Sequence, residues 1–163
     1  MRIIVLFLVA LVGLSACSDS KFETYRGPEV TRVLVYKEQR KMYLMHGTKA
    51  LKQYDVGLGF GPVGHKVREG DGRTPEGEYT IDRRNPNSQF HLSIGISYPN
   101  AADRAYAASK GFSPGGDIFI HGRPSKYNNG GRDWTAGCIA VTNKEVQEIY
   151  AMVKNGTPIT IYK

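Results

Sequence analysis

Cysteine is scarce in this chain: its 163 residues include only two, Cys17 and Cys138. Two cysteines are too few for a disulfide-dense scaffold or an all-cysteine metal site. The four histidines lack the His-x-x-x-His spacing of zinc hydrolases, so we expect no metal and no cofactor. No nucleic-acid-binding motif accompanies the net charge of +7, which favours acidic partners of another kind.

The remaining composition indicates one folded unit. A chain of this length suits one domain, or one domain with a tail, and its 40% hydrophobic content favours a globular fold over disorder. The 19 glycines are typical of strands, tight turns and exposed loops rather than of a helical bundle.

The N-terminus has the pattern of a secretory signal peptide. Arg2 precedes an apolar run over 3–14, which as a helix would span about 18 Å, short of a bilayer core of roughly 30 Å. The run ends in Leu14-Ser15-Ala16-Cys17, which resembles the lipobox of bacterial lipoproteins. In those proteins the signal peptidase cuts before the cysteine, which then carries lipid. An ordinary signal peptide with an incidental cysteine is the alternative.

This resemblance sets the expected domain boundaries and location. We expect residues 1–16 to be a lipoprotein signal peptide, 17–28 to be a lipidated Cys17 with a short tether, and 29–163 to form the folded domain. Ser18 follows Cys17, which by the sorting pattern of Gram-negative lipoproteins favours the outer membrane. The predicted location is the cell envelope, lipid-anchored and facing the periplasm. Cys138 would then be the single unmodified thiol.

Periodicity over 29–163 predicts a mainly β fold with two short helices, either a β-sandwich or an open, barrel-like mixed sheet. The first three strands alternate apolar and polar residues as in an antiparallel meander. Asn100 and Asn143 are the expected N-caps of the two helices. The expected strands are 30–36, 41–46, 51–58, 77–81, 90–96, 117–121, 138–141 and 159–162, and the expected helices are 100–110 and 143–153.

Cys138 and His121 are the candidate chemical groups. A thiol is a weak nucleophile until a base makes it a thiolate, and histidine titrates near neutrality. The small residues before Cys138 would let a substrate approach the backbone, whose N–H groups could face an oxyanion. Taken alone, the cysteine could be a buried apolar residue and the histidine a structural one. Their positions at the two ends of one polar loop favour a nucleophile–base pair.

The residues around this pair resemble a known family. Ile120-His121-Gly122, a spacer and Thr135-Ala136-Gly137-Cys138-Ile139 are similar to the signature of the L,D-transpeptidase (YkuD-like) catalytic domain. Thr74-Pro75-Glu76-Gly77-Glu78-Tyr79 and Ser97-Tyr98-Pro99-Asn100 resemble two further segments of that family, in the same order. The resemblance covers roughly 30–163.

The resemblance implies a role for each matched residue. Cys138 would attack an acyl donor and form a thioester, with His121 as its base and the Gly122 carbonyl orienting the imidazole. The N–H groups of Gly137 and Cys138 would stabilise the oxyanion. Thr135 belongs to the same block and is a candidate oxyanion or substrate residue. Trp134 is either a substrate wall or a packing anchor.

The family also implies the substrates. Its donors are peptidoglycan stem tetrapeptides, opened between the L-centre of meso-diaminopimelate and D-Ala. Its acceptors are an amine of a second stem peptide, a lipoprotein lysine, or water. The expected membrane contact is through lipid on Cys17.

Two departures from the family pattern bear on specificity. Many members carry histidine where this chain has Ala136, and arginine where it has Ala140. The second change removes a cation that could contact a substrate carboxylate, and Arg123 or Arg132 could substitute. The leading hypothesis is a wall-modifying cysteine acyltransferase. The alternatives are an L,D-carboxypeptidase or amidase using water on the same thioester, and a non-catalytic wall-binding lipoprotein.

Overall fold

A computed structural model describes residues 20–127 and 130–163. The predicted signal peptide over 1–16 and the predicted lipid site at Cys17 lie outside these residues. Within the described part of the chain, no helix is long and apolar enough to cross a membrane.

The chain forms eight strands, two α-helices and one 3₁₀ turn over Ser125–Tyr127. The mainly β prediction with two helices is confirmed. The strands are β1 Arg32–Tyr36, β2 Lys41–His46, β3 Lys49–Asp55, β4 Gly77–Asn85, β5 Ser93–Ile96, β6 Phe119–His121, β7 Ile139–Ala140 and β8 Pro158–Tyr162; the helices are α1 Ala101–Ser109 and α2 Asn143–Met152.

All eight strands belong to one mixed sheet in the order β3-β2-β1-β8-β4-β5-β6-β7. The predicted β1–β2–β3 meander is antiparallel, whereas β1 pairs with β8 and β6 with β7 in parallel. The segment after β3 bonds to the far edge: Gly57 exchanges two backbone hydrogen bonds of 2.8 Å with Ala140, and the Phe60 N–H donates to Thr135 O at 2.9 Å. These bonds curl the sheet into a half-barrel.

The core lies between this curled sheet and the face of α2 that carries Val146, Ile149 and Met152. Strand residues alternate into it, as the predicted period of two requires. Val33 and Val35 of β1 are fully buried, while their neighbours on the same strand are not.

The loop between β3 and β4 is held by two buried lysines. Lys37 Nζ donates to the Thr74 carbonyl at 2.9 Å and to Glu76 Oε1 at 2.8 Å. Lys66 Nζ donates to Asp71 Oδ1 at 3.0 Å. A Cβ added to Gly59 would lie 2.9 Å from the Cα of Gly137, so this loop packs tightly against the segment that ends in Cys138. The loop is therefore held in place against the segment that ends in Cys138.

Several predicted element ends are wrong. β3 covers Lys49–Asp55 and not 51–58, and β4 extends to Asn85 and not only to residue 81. Asn143 is the first residue of α2 and not its cap: Thr142 accepts from the Glu145 N–H at 3.2 Å, and Glu145 Oε2 accepts from the Thr142 N–H at 2.8 Å. The strand expected over 90–96 begins at Ser93, because His91 adopts φ 74° and interrupts the extended backbone. Asn100 caps α1 as predicted.

Candidate active site

Pairing between neighbouring strands brings Cys138 and His121 together. Asn85 of β4, Ser93 of β5, His121 of β6 and Ala140 of β7 are successive pairing partners. Cys138 immediately precedes β7, at the register position beside Phe119. In a parallel pair, residues two apart share a face. The pairing therefore places the thiol and the imidazole on the same side of the sheet.

Both groups line one cavity of about 420 Å³. The cavity is also lined by residues that the sequence did not indicate as part of a site. They include Phe90, Ser93, Asp117 and Phe119. Period-two alternation along β6 could have indicated Phe119, because it shares a face with His121.

His121 is buried and its ring is held on several sides. Its Nδ1 lies 2.7 Å from the Gly122 carbonyl oxygen, so this nitrogen carries the proton and donates. The ring stacks on Phe90 at a centroid distance of 4.4 Å and meets the Trp134 ring edge-on at 5.7 Å. Burial lowers the pKa of His121, while the bond to Gly122 raises it, and the net direction is down. The resting imidazole is therefore neutral, with Nε2 as its basic nitrogen.

Cys138 is partly exposed on the cavity wall. Its Sγ lies 3.4 Å from the Asp117 carbonyl oxygen, to which the thiol donates. Burial raises the pKa of Cys138 and the Asp117 charge adds to this, against the opposing effects of the Phe119 backbone, Lys66 and Arg83. A thiol with a raised pKa is neutral at rest, so it needs a base to react at neutral pH.

Thr135 braces the turn that carries the thiol. Its Oγ1 donates to the Cys138 carbonyl at 2.7 Å and accepts from the Gly137 N–H at 3.2 Å. Gly137 has φ 135°, and a Cβ there would lie 2.6 Å from the Arg73 carbonyl oxygen, so only glycine fits. Because the Gly137 N–H is engaged at rest, the Cys138 N–H is the better candidate for the predicted oxyanion contact.

The same turn is tethered to the sheet through Asp133. Its carboxylate accepts from Arg40 Nη2 at 2.8 Å and from Arg40 Nε at 3.1 Å. It also accepts from the Leu58 N–H at 2.9 Å. Burial raises the pKa of Asp133, but the bonds from Arg40 and Leu58 outweigh it, so the pKa lies below the usual aspartate value. The ion-pair partner of Asp133 is therefore Arg40, which is distant from it in the sequence.

Trp134 lies behind the imidazole, as part of an aromatic cluster. It stacks on Tyr127 at 4.4 Å, and the Arg123 guanidinium carbon lies 5.2 Å from its ring centroid. Its Nε1 is buried and has no hydrogen-bond partner among the described residues. These contacts match the packing interpretation, while a contact with substrate stays a prediction.

Arg123 and Arg132 lie on a different cavity, of about 380 Å³. Ala140 lines the same cavity as the two arginines, and their substitution for a cation at this position stays a prediction. Neither Cys138 nor His121 is among the residues lining that cavity.

Residues 30–161 match the family model of the L,D-transpeptidase catalytic domain, YkuD. The chain belongs to this family. The Escherichia coli (strain K12) protein YafK is 32% identical over 127 residues, which cover 74% of this chain and 46% of YafK.

Similar solved structures agree with the fold. The helical cell shape determining protein Pgp2 from Campylobacter jejuni is 27% identical with a TM-score of 0.64, covering 88% of this chain and 51% of that one. Bd1075 from Bdellovibrio bacteriovorus is 26% identical with a TM-score of 0.59, covering 82% and 48%. An L,D-transpeptidase from Mycobacterium smegmatis shares the fold. It is 12% identical with a TM-score of 0.55, covering 82% of this chain and 59% of that one. This chain spans about half the length of YafK, Pgp2 and Bd1075.

Proposed function

We propose that this chain is a cysteine acyltransferase that acts on peptidoglycan stem peptides through a thioester on Cys138. The observation that carries the proposal is that one cavity is lined by both the Cys138 thiol and a neutral imidazole, His121, whose Nδ1 is fixed by the Gly122 carbonyl. Membership of the L,D-transpeptidase family supports the choice of substrate class.

The geometry supports a two-step reaction. His121 Nε2 takes the proton from Cys138 Sγ, and the sulfur attacks the scissile carbonyl carbon. Backbone N–H groups at the turn stabilise the oxyanion. The imidazolium then protonates the leaving amine as the carbon–nitrogen bond breaks, which leaves a thioester on Cys138 and a neutral His121.

The second half-reaction reverses the proton path. His121 takes a proton from an incoming amine or water, the nucleophile attacks the thioester, and the thiolate leaves and is reprotonated. An amine of a second stem peptide or of a lipoprotein lysine gives a crosslink, whereas water gives a shortened stem peptide. The resemblance to Pgp2, named as a cell shape determining protein, extends the proposal to a role in cell shape.

The test is mass spectrometry of the protein after incubation with a stem tetrapeptide. Full-length protein carrying Cys17→Ser has Cys138 as its only thiol. We expect an acyl adduct on Cys138 that is absent in Cys138→Ser. Dimeric products would establish transfer to an amine, and tripeptide alone would establish hydrolysis. Binding without an adduct and without turnover would refute the enzymatic proposal and leave a non-catalytic wall-binding protein.

We also propose that Cys17 carries lipid and anchors the chain in the envelope, most simply at the outer membrane. The proposal rests on Leu14-Ser15-Ala16-Cys17 and on Ser18. Metabolic labelling with a fatty-acid analogue, followed by membrane fractionation, is expected to label the wild-type chain and not Cys17→Ser. Equal labelling of the two would refute lipidation at this position.

A further inference from the structure

A second cross-strand row leads from an arginine to the thiol. Arg83 of β4 pairs with Gly95 of β5, and Gly95 pairs with Phe119 of β6. Cys138 follows at the next register position, before β7. Residues that face each other across adjacent strands project from the same face of a sheet. Arg83 therefore lies on the same face as the candidate nucleophile.

A β-bulge gives Arg83 this orientation. The pairing of β4 with β5 shifts between Ile81 and Arg83: Ile81 faces Ile96 in the core, yet Arg83 faces Gly95 on the cavity side. In a regular strand, residues two apart point the same way, so without the bulge Arg83 would point into the core with Ile81.

Gly95 lets the arginine side chain cross the neighbouring strand. A Cβ at Gly95 would collide with Arg83 Cγ and would lie 2.7 Å from Nε. With no side chain in the way, the guanidinium carbon reaches a point 4.7 Å from the Phe119 ring centroid. Phe119 lines the cavity that contains Cys138 and His121.

The guanidinium is held by two exposed carboxylates that a ligand can replace. Nη2 lies 3.5 Å from Asp117 Oδ1, and the Asp117 side chain is 92% exposed. Nη1 lies 3.2 Å from Asp82 Oδ2. Ion pairs this exposed contribute little to stability. Asp117 itself lines the cavity, so the Arg83 guanidinium already binds one carboxylate at the cavity wall.

We infer that Arg83 binds a carboxylate of the acyl donor and thereby selects stem peptides with a free carboxylate near the scissile bond. The inference rests on the proposed function for the identity of the donor. Arg83 places a cation beside Phe119, which lines the cavity with Cys138, whereas Arg123 and Arg132 line the other cavity. The tetrapeptide offers the carboxylate of the leaving D-Ala, next to the scissile bond, and that of the D-centre, at the end of the diaminopimelate side chain. Both present the oxygens that an arginine fork pairs with.

The experiment measures binding apart from catalysis. Full-length protein carrying Cys17→Ser and Cys138→Ala is titrated by calorimetry with three synthetic stem tetrapeptides: the free acid, the D-Ala amide and the amide at the diaminopimelate D-centre. We expect one amide to bind on the order of tenfold more weakly than the free acid. In Arg83→Gln the ratio of the two dissociation constants should fall to about one. Which amide weakens binding identifies the carboxylate.

Three further variants separate this contact from a general charge effect. Arg83→Lys keeps the charge but loses the fork, so an intermediate ratio is expected. Arg104→Gln on the exposed face of α1 makes the same charge change and should keep the wild-type ratio. Asp117→Asn removes the internal competitor without changing the backbone, so it should tighten binding of the free acid and not of the amide.

The outcomes are distinct. An unchanged ratio in Arg83→Gln overturns the inference, as does a collapsed ratio in Arg123→Gln or Arg132→Gln with Arg83 intact. If Arg83→Gln does not fold, Asp117→Asn decides: weaker or equal binding of the free acid overturns the inference. A ratio that depends on Arg83 in a protein that forms no Cys138 adduct refutes the proposed enzyme and leaves the carboxylate site standing.

Discussion

Replacing Asp133 by asparagine is expected to destabilise the fold by about 2–3 kcal/mol. The Asp133 and Arg40 side chains are 20% and 19% exposed, so their ion pair lies between the buried pairs whose loss costs roughly 3–5 kcal/mol and the exposed pairs worth about 0–1 kcal/mol. Asparagine can still accept the Leu58 N–H, but it weakens every bond from Arg40. Urea denaturation at pH 7, followed by tryptophan fluorescence, measures the change.

A control variant and the pH dependence of stability test this prediction further. Glu29 pairs with Lys154 at 3.8 Å with both side chains more than half exposed, so Glu29→Gln should change the free energy of unfolding by less than about 0.5 kcal/mol. The folded-state pKa of Asp133 is lowered, so its contribution is present above about pH 5 and is lost as the pH falls through that lowered pKa. Equal stability of Asp133→Asn and wild type at pH 7 would refute the tether, and so would a difference that grows in acid.

Three other outcomes are expected from the same structure. Thr135→Val should lose about 1–3 kcal/mol of stability in urea denaturation, because the Gly137 N–H and the Cys138 carbonyl lose a partner. Thr135→Ser keeps both bonds, so an equal loss of stability in the two variants would contradict this. Gly122→Ala should lower the melting temperature by calorimetry, since its Cβ would lie 2.8 Å from the Phe90 carbonyl oxygen; an unchanged value would show that the site can relax. Burial raises the pKa of Cys138, so alkylation of the thiol by iodoacetamide should still rise with pH beyond about 8.5. Burial lowers the pKa of His121, so acylation should fall only below about pH 6.5. An alkylation plateau below about pH 7 would instead indicate a thiolate–imidazolium pair.

The class of fold was predictable because strand alternation and helix caps are local properties. Val33 and Val35 alternate with less buried neighbours, and Asn100 caps α1. The cap of α2 was misassigned although its signal was present: Thr142 stands three residues before Glu145, the spacing of a capping box. The start of β5 was not predictable in this way, since nothing local to His91 announces its left-handed backbone.

The site was predictable in part for a similar reason. The turn at Cys138 and the His121-Gly122 pair are short motifs, and the structure places them together. Arg83 escaped notice because the strand was predicted to end at Ile81, whereas β4 continues to Asn85. Even in a longer strand, the bulge reverses the face that alternation from Ile81 predicts. Phe90 was assigned to a strand, whereas it lies in a turn that brings its ring onto His121. Long-range pairing decides both positions, and a single sequence does not display it.

Because β6 pairs with β7 in parallel, the positions of His121 and Cys138 do not depend on the length of the segment between them. Both ends of that segment are fixed by the sheet, at His121 and just after Cys138. The entropy cost of closing a loop grows only slowly with its length, so extra residues near the exposed Gly130 and Gly131 would cost little stability. A protein built this way can lengthen or shorten the loop between its two candidate chemical groups without moving either of them.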